Sequence, residues 1–250
     1  MNELIYRRNA IVETIIASRR NIVRLILAKE ASHNNKNNLV IESAKNKSVK
    51  VERISRSQMT GKLGNSNHQD MLLEVQSYPY VEIKDMYALS KKENESPLLL
   101  VLDQLQSPSN IGRLLRSAEA MRVHGVILQK RRTVGITPAV VAASMGASEH
   151  MLITRVTNLS RTIKQLQNDN LWVIGLDANT ASNVLSEMDL NRPLAIVIGN
   201  EGTGIRQLIR NKCDSLVSIP MLGKIESLNA AIAGSIAIYA AREARNQVDR

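Results

Sequence analysis

Hydrophobic spacing divides the chain into two regimes. In the first part, Ile5, Ile11, Val12, Ile15 and Ile16 recur near helical spacing and predict an amphipathic helix. Ile22 to Ala28 is a branched apolar run suited to a buried strand, and Leu39 to Ala44 continues as helix. Val49 to Ile54 alternates apolar and charged residues as a half-exposed strand does, and Met71 to Val75 predicts another. Ser32 to Asn38, with four Asn and a Lys, reads as a polar loop. Together these segments predict a small α/β domain over residues 1–78.

A polar, turn-rich stretch, Ser90 to Ser96, precedes Pro97, so the linker is placed at 79–96. Residues 97–250 then alternate between the two periods. Strands are predicted at Leu98 to Leu102, Gly125 to Leu128, Met151 to Val156, Leu171 to Leu176, Leu194 to Ile198 and Ser215 to Ile219. Helices are predicted at Asn110 to Met121, Pro138 to Gly146, Ser160 to Asn168, Gly204 to Lys212 and Leu228 to Arg245. Such alternation implies an α/β fold with a mostly parallel sheet and ligands at the carboxyl ends of its strands.

Charge sharpens this division. Lys and Arg number 33 against 23 Asp and Glu, a net charge of +10, which points to a polyanionic partner. Between Arg19 and Lys62 there are eleven basic and three acidic residues, so 11 − 3 = +8 of the net charge sits there. That segment is read as a docking surface for such a polyanion, nucleic acid or acidic membrane, against the plainer alternative of a solvated charged face. With no Phe, one Trp and five Tyr, recognition through base stacking is disfavoured, so phosphate and shape contacts should dominate.

Other classes drop out. Cys213 is the single cysteine, which excludes an intramolecular disulfide and a thiolate metal cage. The four histidines are scattered, so no metal is expected. The longest apolar stretch, Leu228 to Ala241, is fourteen residues, too short for a membrane span. No membrane association is expected, and a cytoplasmic location is.

Three predicted strands are followed by small, polar loops. One runs from Asp103 to Arg116 and contains Ser107-Pro-Ser-Asn-Ile-Gly112. Another is Gly199-Asn-Glu-Gly-Thr-Gly204, and the last is Ile219-Pro-Met-Leu-Gly-Lys-Ile-Glu-Ser-Leu-Asn229. Gly199 and Gly204 have the spacing of a phosphate-binding P-loop, but Ile205 and Arg206 stand where Lys and Ser or Thr are needed. Gln207 likewise occupies the third glycine position of a dinucleotide fingerprint. Neither nucleotide motif is present.

Read together as Asn110-Ile-Gly-Arg-Leu-Leu-Arg116, Gly199-Asn-Glu-Gly-Thr-Gly204 and Ile219 to Asn229, the loops resemble the three motifs of the SpoU (TrmH) family of SPOUT methyltransferases, in order and spacing. The resemblance spans roughly residues 97–245. The first part is similar to the ribosomal-protein-like substrate domain of many members, through Ile5-Tyr6, Ala10 to Glu13 and Asn67-His68-Gln69, although Arg8 and Asp70 stand where relatives usually carry glycine.

The resemblance implies an RNA ribose 2′-O-methyltransferase using S-adenosylmethionine, folded as a SPOUT sheet with a C-terminal trefoil knot and acting as a homodimer, with ribosomal RNA favoured over transfer RNA. It implies cofactor contacts at Gly199, Asn200, Gly202, Ile219, Met221 and Leu228, and positioning of cofactor and ribose by Asn110, Glu201, Ser227 and Asn229. Arg116 is the residue implied for activating the 2′-hydroxyl. Guanidinium stays protonated above about pH 12 and has no acceptor, so the role is either a base made competent by its surroundings or a phosphate clamp. A catalytically silent RNA-binding or assembly factor is the competing function, with a base-modifying SPOUT enzyme third.

Overall fold

Except between the strands Trp172–Leu176 and Leu194–Ile198, strand and helix alternate along the computed structural model, which describes residues 2–31, 35–65, 67–178 and 183–246, without the side chains of Asn35 and Lys36. In chain order the elements are β1 (Asn2–Tyr6), α1 (Arg8–Ala17), β2 (Ile22–Ala28), α2 (Asn35–Asn46), β3 (Val51–Ile54), α3 (Arg56–Leu63), β4 (Met71–Gln76), α4 (Ile83–Lys92) and β5 (Leu98–Leu102). They continue as α5 (Pro108–Ala120), β6 (Gly125–Gln129), α6 (Pro138–Ala143), β7 (Ile153–Val156), α7 (Leu159–Asn168), β8 (Trp172–Leu176), β9 (Leu194–Ile198), α8 (Gln207–Arg210), β10 (Ser215–Val217) and α9 (Ala230–Asn246). Among the described residues no helix is long and apolar enough to cross a membrane.

Two compact units result: one of residues 1–79 with Ile136–His150, the other of Tyr80–Gly135 with Met151–Arg250. The first holds a four-stranded mixed sheet in the order β1-β4-β2-β3. Ile5, which its spacing assigns to a helix with Ile11 and Ile15, lies instead on β1, paired with Leu73 of β4. Helix α1 begins only after Arg7, whose left-handed backbone (φ 70°) turns the chain. Residues 35–38, expected in a polar loop, open α2; Ser32, His33 and Asn34 lie outside the described residues.

Part of the positive charge in this unit is neutralised internally. Arg20, buried, donates from Nε and Nη2 to both oxygens of Glu149 at 2.8 and 2.9 Å and from Nη1 to Glu3 at 2.6 Å. Arg24 bridges Glu74 and Glu52, and Arg56 forms a two-pronged pair with Asp70. Three of the eleven basic residues between Arg19 and Lys62 are thus spent on folding. Glu149 reaches Arg20 from residues 136–150, which leave the other unit after Gly135 and return to it at Met151.

The second unit is a six-stranded, all-parallel sheet in the order β10-β8-β9-β5-β6-β7. Strands β5 and β9 are buried at every residue, which is why they read as unbroken apolar runs. Leu102 lies between Leu128 of β6 and Ile198 of β9, so three strand ends stand abreast. Residues 79–96, expected as a linker, contain α4, with Met86 in the core against Leu99, Ile127 and Val173. A Cβ at Gly125 would meet the Met86 sulfur at 2.3 Å, so a larger residue there would have to displace the Met86 side chain.

Candidate active site

The polypeptide leaves the buried strands β5 and β9 at adjacent points, and each exit is held by a specific polar contact. Asp103, completely buried just past β5, accepts from the Arg206 main-chain N–H at 3.0 Å and from its Nε and Nη2 at 2.8 and 2.6 Å. This pins the far end of the glycine loop to the neighbouring strand. Between its ends the loop closes on itself: Asn200 and Gly204 exchange main-chain hydrogen bonds at 3.0 and 2.9 Å, and Gly204 adopts φ 66°. At Gly199 a Cβ would stand 2.1 Å from the Gly204 carbonyl carbon, so only glycine permits the closure. Asn200 Nδ2 donates to the Gln104 carbonyl at 2.9 Å, and its Oδ1 accepts from Gly202 N–H.

The first motif enters as the start of α5, with Ser107 as N-cap and Pro108 at the first helical position. From that first turn the buried Asn110 amide donates to Glu201 Oε1 at 2.6 Å, while its Oδ1 accepts from Asn229 Nδ2 at 3.2 Å. Asn229 in turn accepts from Ala231 N–H and so caps α9. Residues 110, 201 and 229, one from each loop, therefore form a single hydrogen-bonded chain.

Beside this chain lies a cavity of about 380 Å³. Gly199, Asn200, Glu201 and Gly202 line one side; Ile219, Met221, Ser227 and Leu228 line another. All six residues expected to contact a cofactor are in its wall. Arg116 is not: it is exposed on α5, where its neighbour Ser117 is hydrogen-bonded to Ser235 of α9. The wall combines apolar faces and small residues that expose main chain with a few polar groups, a lining suited to a flat heterocycle carrying a polar tail.

Two ion pairs escaped the sequence reading. Besides Asp103 with Arg206, Asp177 pairs with Arg210 at 2.6 Å, and both residues line the cavity. A detectable signal existed: Asp103 and Asp177 each directly follow a buried parallel strand, the same strand-end position as Gly199. Cys213 lies nearby, but its thiol is pushed up to about 12 by burial and then by the Asp214 and Asp103 carboxylates, so it stays protonated and is no nucleophile at neutral pH.

Comparison with known proteins accords with this geometry. Residues 97–239 match the model of the SpoU rRNA Methylase family, and residues 4–81 match the model of an RNA 2′-O ribose methyltransferase substrate binding domain. A putative TrmH family tRNA/rRNA methyltransferase from Bacillus subtilis, YacO, is 38% identical over 247 residues, covering 99% of this chain and 98% of that one. Among solved structures, the SpoU methyltransferase AviRb from Streptomyces viridochromogenes in complex with AdoMet superposes with a TM-score of 0.80 at 22% identity, over 100% of this chain and 92% of that one. A TrmH/SpoU tRNA modifying enzyme from A. aeolicus superposes with a TM-score of 0.53 at 20% identity, over 66% of this chain and 86% of its own. With both family models matched in order along nearly its whole length, the chain belongs to the SpoU (TrmH) family of RNA methyltransferases.

Proposed function

We propose that this chain methylates a ribose 2′-hydroxyl in RNA from S-adenosylmethionine, in the cytoplasm, with ribosomal RNA preferred over transfer RNA. The observation that carries the reading is the joining of Asn110, Glu201 and Asn229, from three distant loops, beside one cavity. A preference for ribosomal RNA is supported by the description of the matched family and by the fold match to the A. aeolicus tRNA enzyme, which extends over only 66% of this chain.

The cavity fits the cofactor: its volume suits a molecule of this size, and Ile219, Met221 and Leu228 offer apolar contacts beside accessible main chain. When bound, S-adenosylmethionine would supply an electrophilic sulfonium methyl; its transfer to the 2′-oxygen would leave neutral S-adenosylhomocysteine and release the hydroxyl proton to solvent. The protein's task is then alignment. The loop at Gly199, Asn200 and Gly202 holds one side of the donor, and Asn110, Glu201, Ser227 and Asn229 orient donor and ribose by hydrogen bonds. Arg116, exposed on α5, clamps the phosphate next to the target sugar through its guanidinium fork.

A homodimer is part of this reading. Ile232, Ile236 and Tyr239, spaced i, i+4 and i+7 on α9, are exposed at 47, 39 and 54%, an apolar stripe suited to a second copy. A C-terminal trefoil knot is also part of it, supported by the path from edge strand β10 back to Asn110 through Asn229.

Mapping 2′-O-methyl groups in ribosomal and transfer RNA from cells with and without the gene tests the assignment. A ribose methyl present only with the gene is expected; identical maps would remove the reading.

A further inference from the structure

The carboxyl edge of the parallel sheet carries a basic turn that neither the motifs nor the +8 segment includes. Immediately after β6 the chain reads Lys130-Arg131-Arg132, and residues 120–135 contain no Asp or Glu. All three side chains are exposed, and none has an ion-pair partner among the described residues, unlike Arg20, Arg24 and Arg56. The turn is built rather than loose. Arg132 holds a left-handed backbone (φ 59°), Arg155 Nη2 donates to the Lys130 carbonyl at 2.8 Å, and Val134 N–H donates to the Leu105 carbonyl, just after β5.

Its position relative to the site follows from register. Gln129 and Gly199 each lie one strand away from Asp103, so at a strand spacing of about 4.8 Å they stand roughly 10 Å apart. One side chain spans that edge: Arg206, at the end of the glycine loop, donates to Asp103 and, from Nη2, to Gln129 Oε1 at 2.9 Å. The turn is thereby fixed, through its first neighbour, to the loop that lines the candidate cavity.

We infer that Lys130, Arg131 and Arg132 form a phosphate-docking turn on the methyltransferase unit, gripping the RNA backbone a few nucleotides from the ribose to be modified. The inference rests on the methyltransferase reading and adds the place where substrate is held beside the site. Three uncompensated cations in a fixed turn suit a polyanion whose contacts position it without reading sequence.

The test replaces Lys130→Ala, Arg131→Ala and Arg132→Gly together, glycine being chosen for the left-handed position. The probes are ribosomal RNA transcribed in vitro and S-adenosylmethionine. The expected result is a fall of about 2 in the slope of log K for RNA against log salt, since each lost phosphate contact removes roughly 0.7–0.9. KM for RNA should rise with kcat nearly unchanged, and calorimetric affinity for S-adenosylmethionine should stay at the parent value, which also shows that the variant is folded. An unchanged salt slope, with S-adenosylmethionine still bound, overturns the docking role and leaves the methyltransferase reading standing. Failure of the parent protein to bind S-adenosylmethionine overturns both.

Discussion

Asn110 and Glu201 are 91 residues apart in the chain, yet the Asn110 amide donates to the Glu201 carboxylate at 2.6 Å. Because Asn110 also accepts from Asn229, it is the node through which the three motif loops are held in one geometry. Replacing Asn110→Ala removes both contacts without altering the cavity wall itself. A hydrogen bond to a charged group contributes about 1.5–3 kcal/mol, so kcat is expected to fall by roughly 10- to 100-fold. Affinity for S-adenosylmethionine, measured by calorimetry, should change much less. An unaltered kcat would remove this contact from the account.

Arg116 stands outside the cavity wall, and its assigned role is to hold RNA. Arg116→Ala is expected to abolish methyl transfer while leaving calorimetric affinity for S-adenosylmethionine nearly unchanged. Arg116→Lys, which keeps the charge but loses the fork, should recover part of the rate. Full turnover by the alanine variant would exclude Arg116 from the mechanism.

Gly199 offers the sharpest steric test. The added methyl of Gly199→Ala would overlap the Gly204 main chain, so the loop must open, at a cost of at least about 1–3 kcal/mol. Loss of S-adenosylmethionine binding is expected together with a lower melting temperature, whereas Gly202→Ala, whose nearest neighbour is the Asn200 side chain at 3.6 Å, should retain a folded loop.

Much of this arrangement was legible in the residues. The runs Ile22 to Ala28, Leu98 to Leu102 and Leu194 to Ile198 coincide with β2, β5 and β9; β5 and β9, buried at every residue, leave an uninterrupted apolar signature, whereas β2 is fully buried only from Leu25 onward. Ile5 misled because β1 is a short strand whose apolar positions happen to be in phase with those of α1. Helix α4 was hidden by its polar composition, with Met86 as its only fully buried apolar residue. At Asp70 the backbone is left-handed (φ 65°), the conformation in which a glycine is expected, and the turn is made without one; in the earlier turn the left-handed residue is Arg7, one before Arg8.

Pairings between distant residues were beyond any periodicity. Nothing in the local sequence joins Asp103 to Arg206 or Asp177 to Arg210, and counting charges from Arg19 to Lys62 could not reveal that Arg20, Arg24 and Arg56 are engaged by carboxylates. Because Glu149 belongs with Arg20, deleting residues 1–90 would strip partners from residues 136–150. Charge substitution, and not truncation, is therefore the sound way to probe RNA binding by that unit.

Acid sensitivity is predicted at His124. Burial holds its imidazole below the ordinary value of 6.5, against the opposing pull of Glu95 and Glu93, and its Nδ1 accepts from Leu98 N–H, a bond that the doubly protonated ring cannot make. With the folded value depressed, the unfolded chain takes up a proton first as pH drops through 6.5, so this contribution to stability is complete above that value and is lost below it. Melting temperature should decline between about pH 7 and pH 5, and the decline should be smaller in His124→Asn, whose side-chain oxygen can still accept from Leu98. An identical decline in the two proteins would assign the acid sensitivity elsewhere.

The most direct measurement combines the purified protein, S-adenosylmethionine tritiated in its methyl group and unmodified ribosomal RNA, followed by alkaline hydrolysis. A ribose methyl blocks cleavage at its own phosphodiester, so tritium is predicted in alkali-resistant dinucleotides. Tritium confined to mononucleotides, marking a methylated base, or an RNA fraction without label would contradict the account.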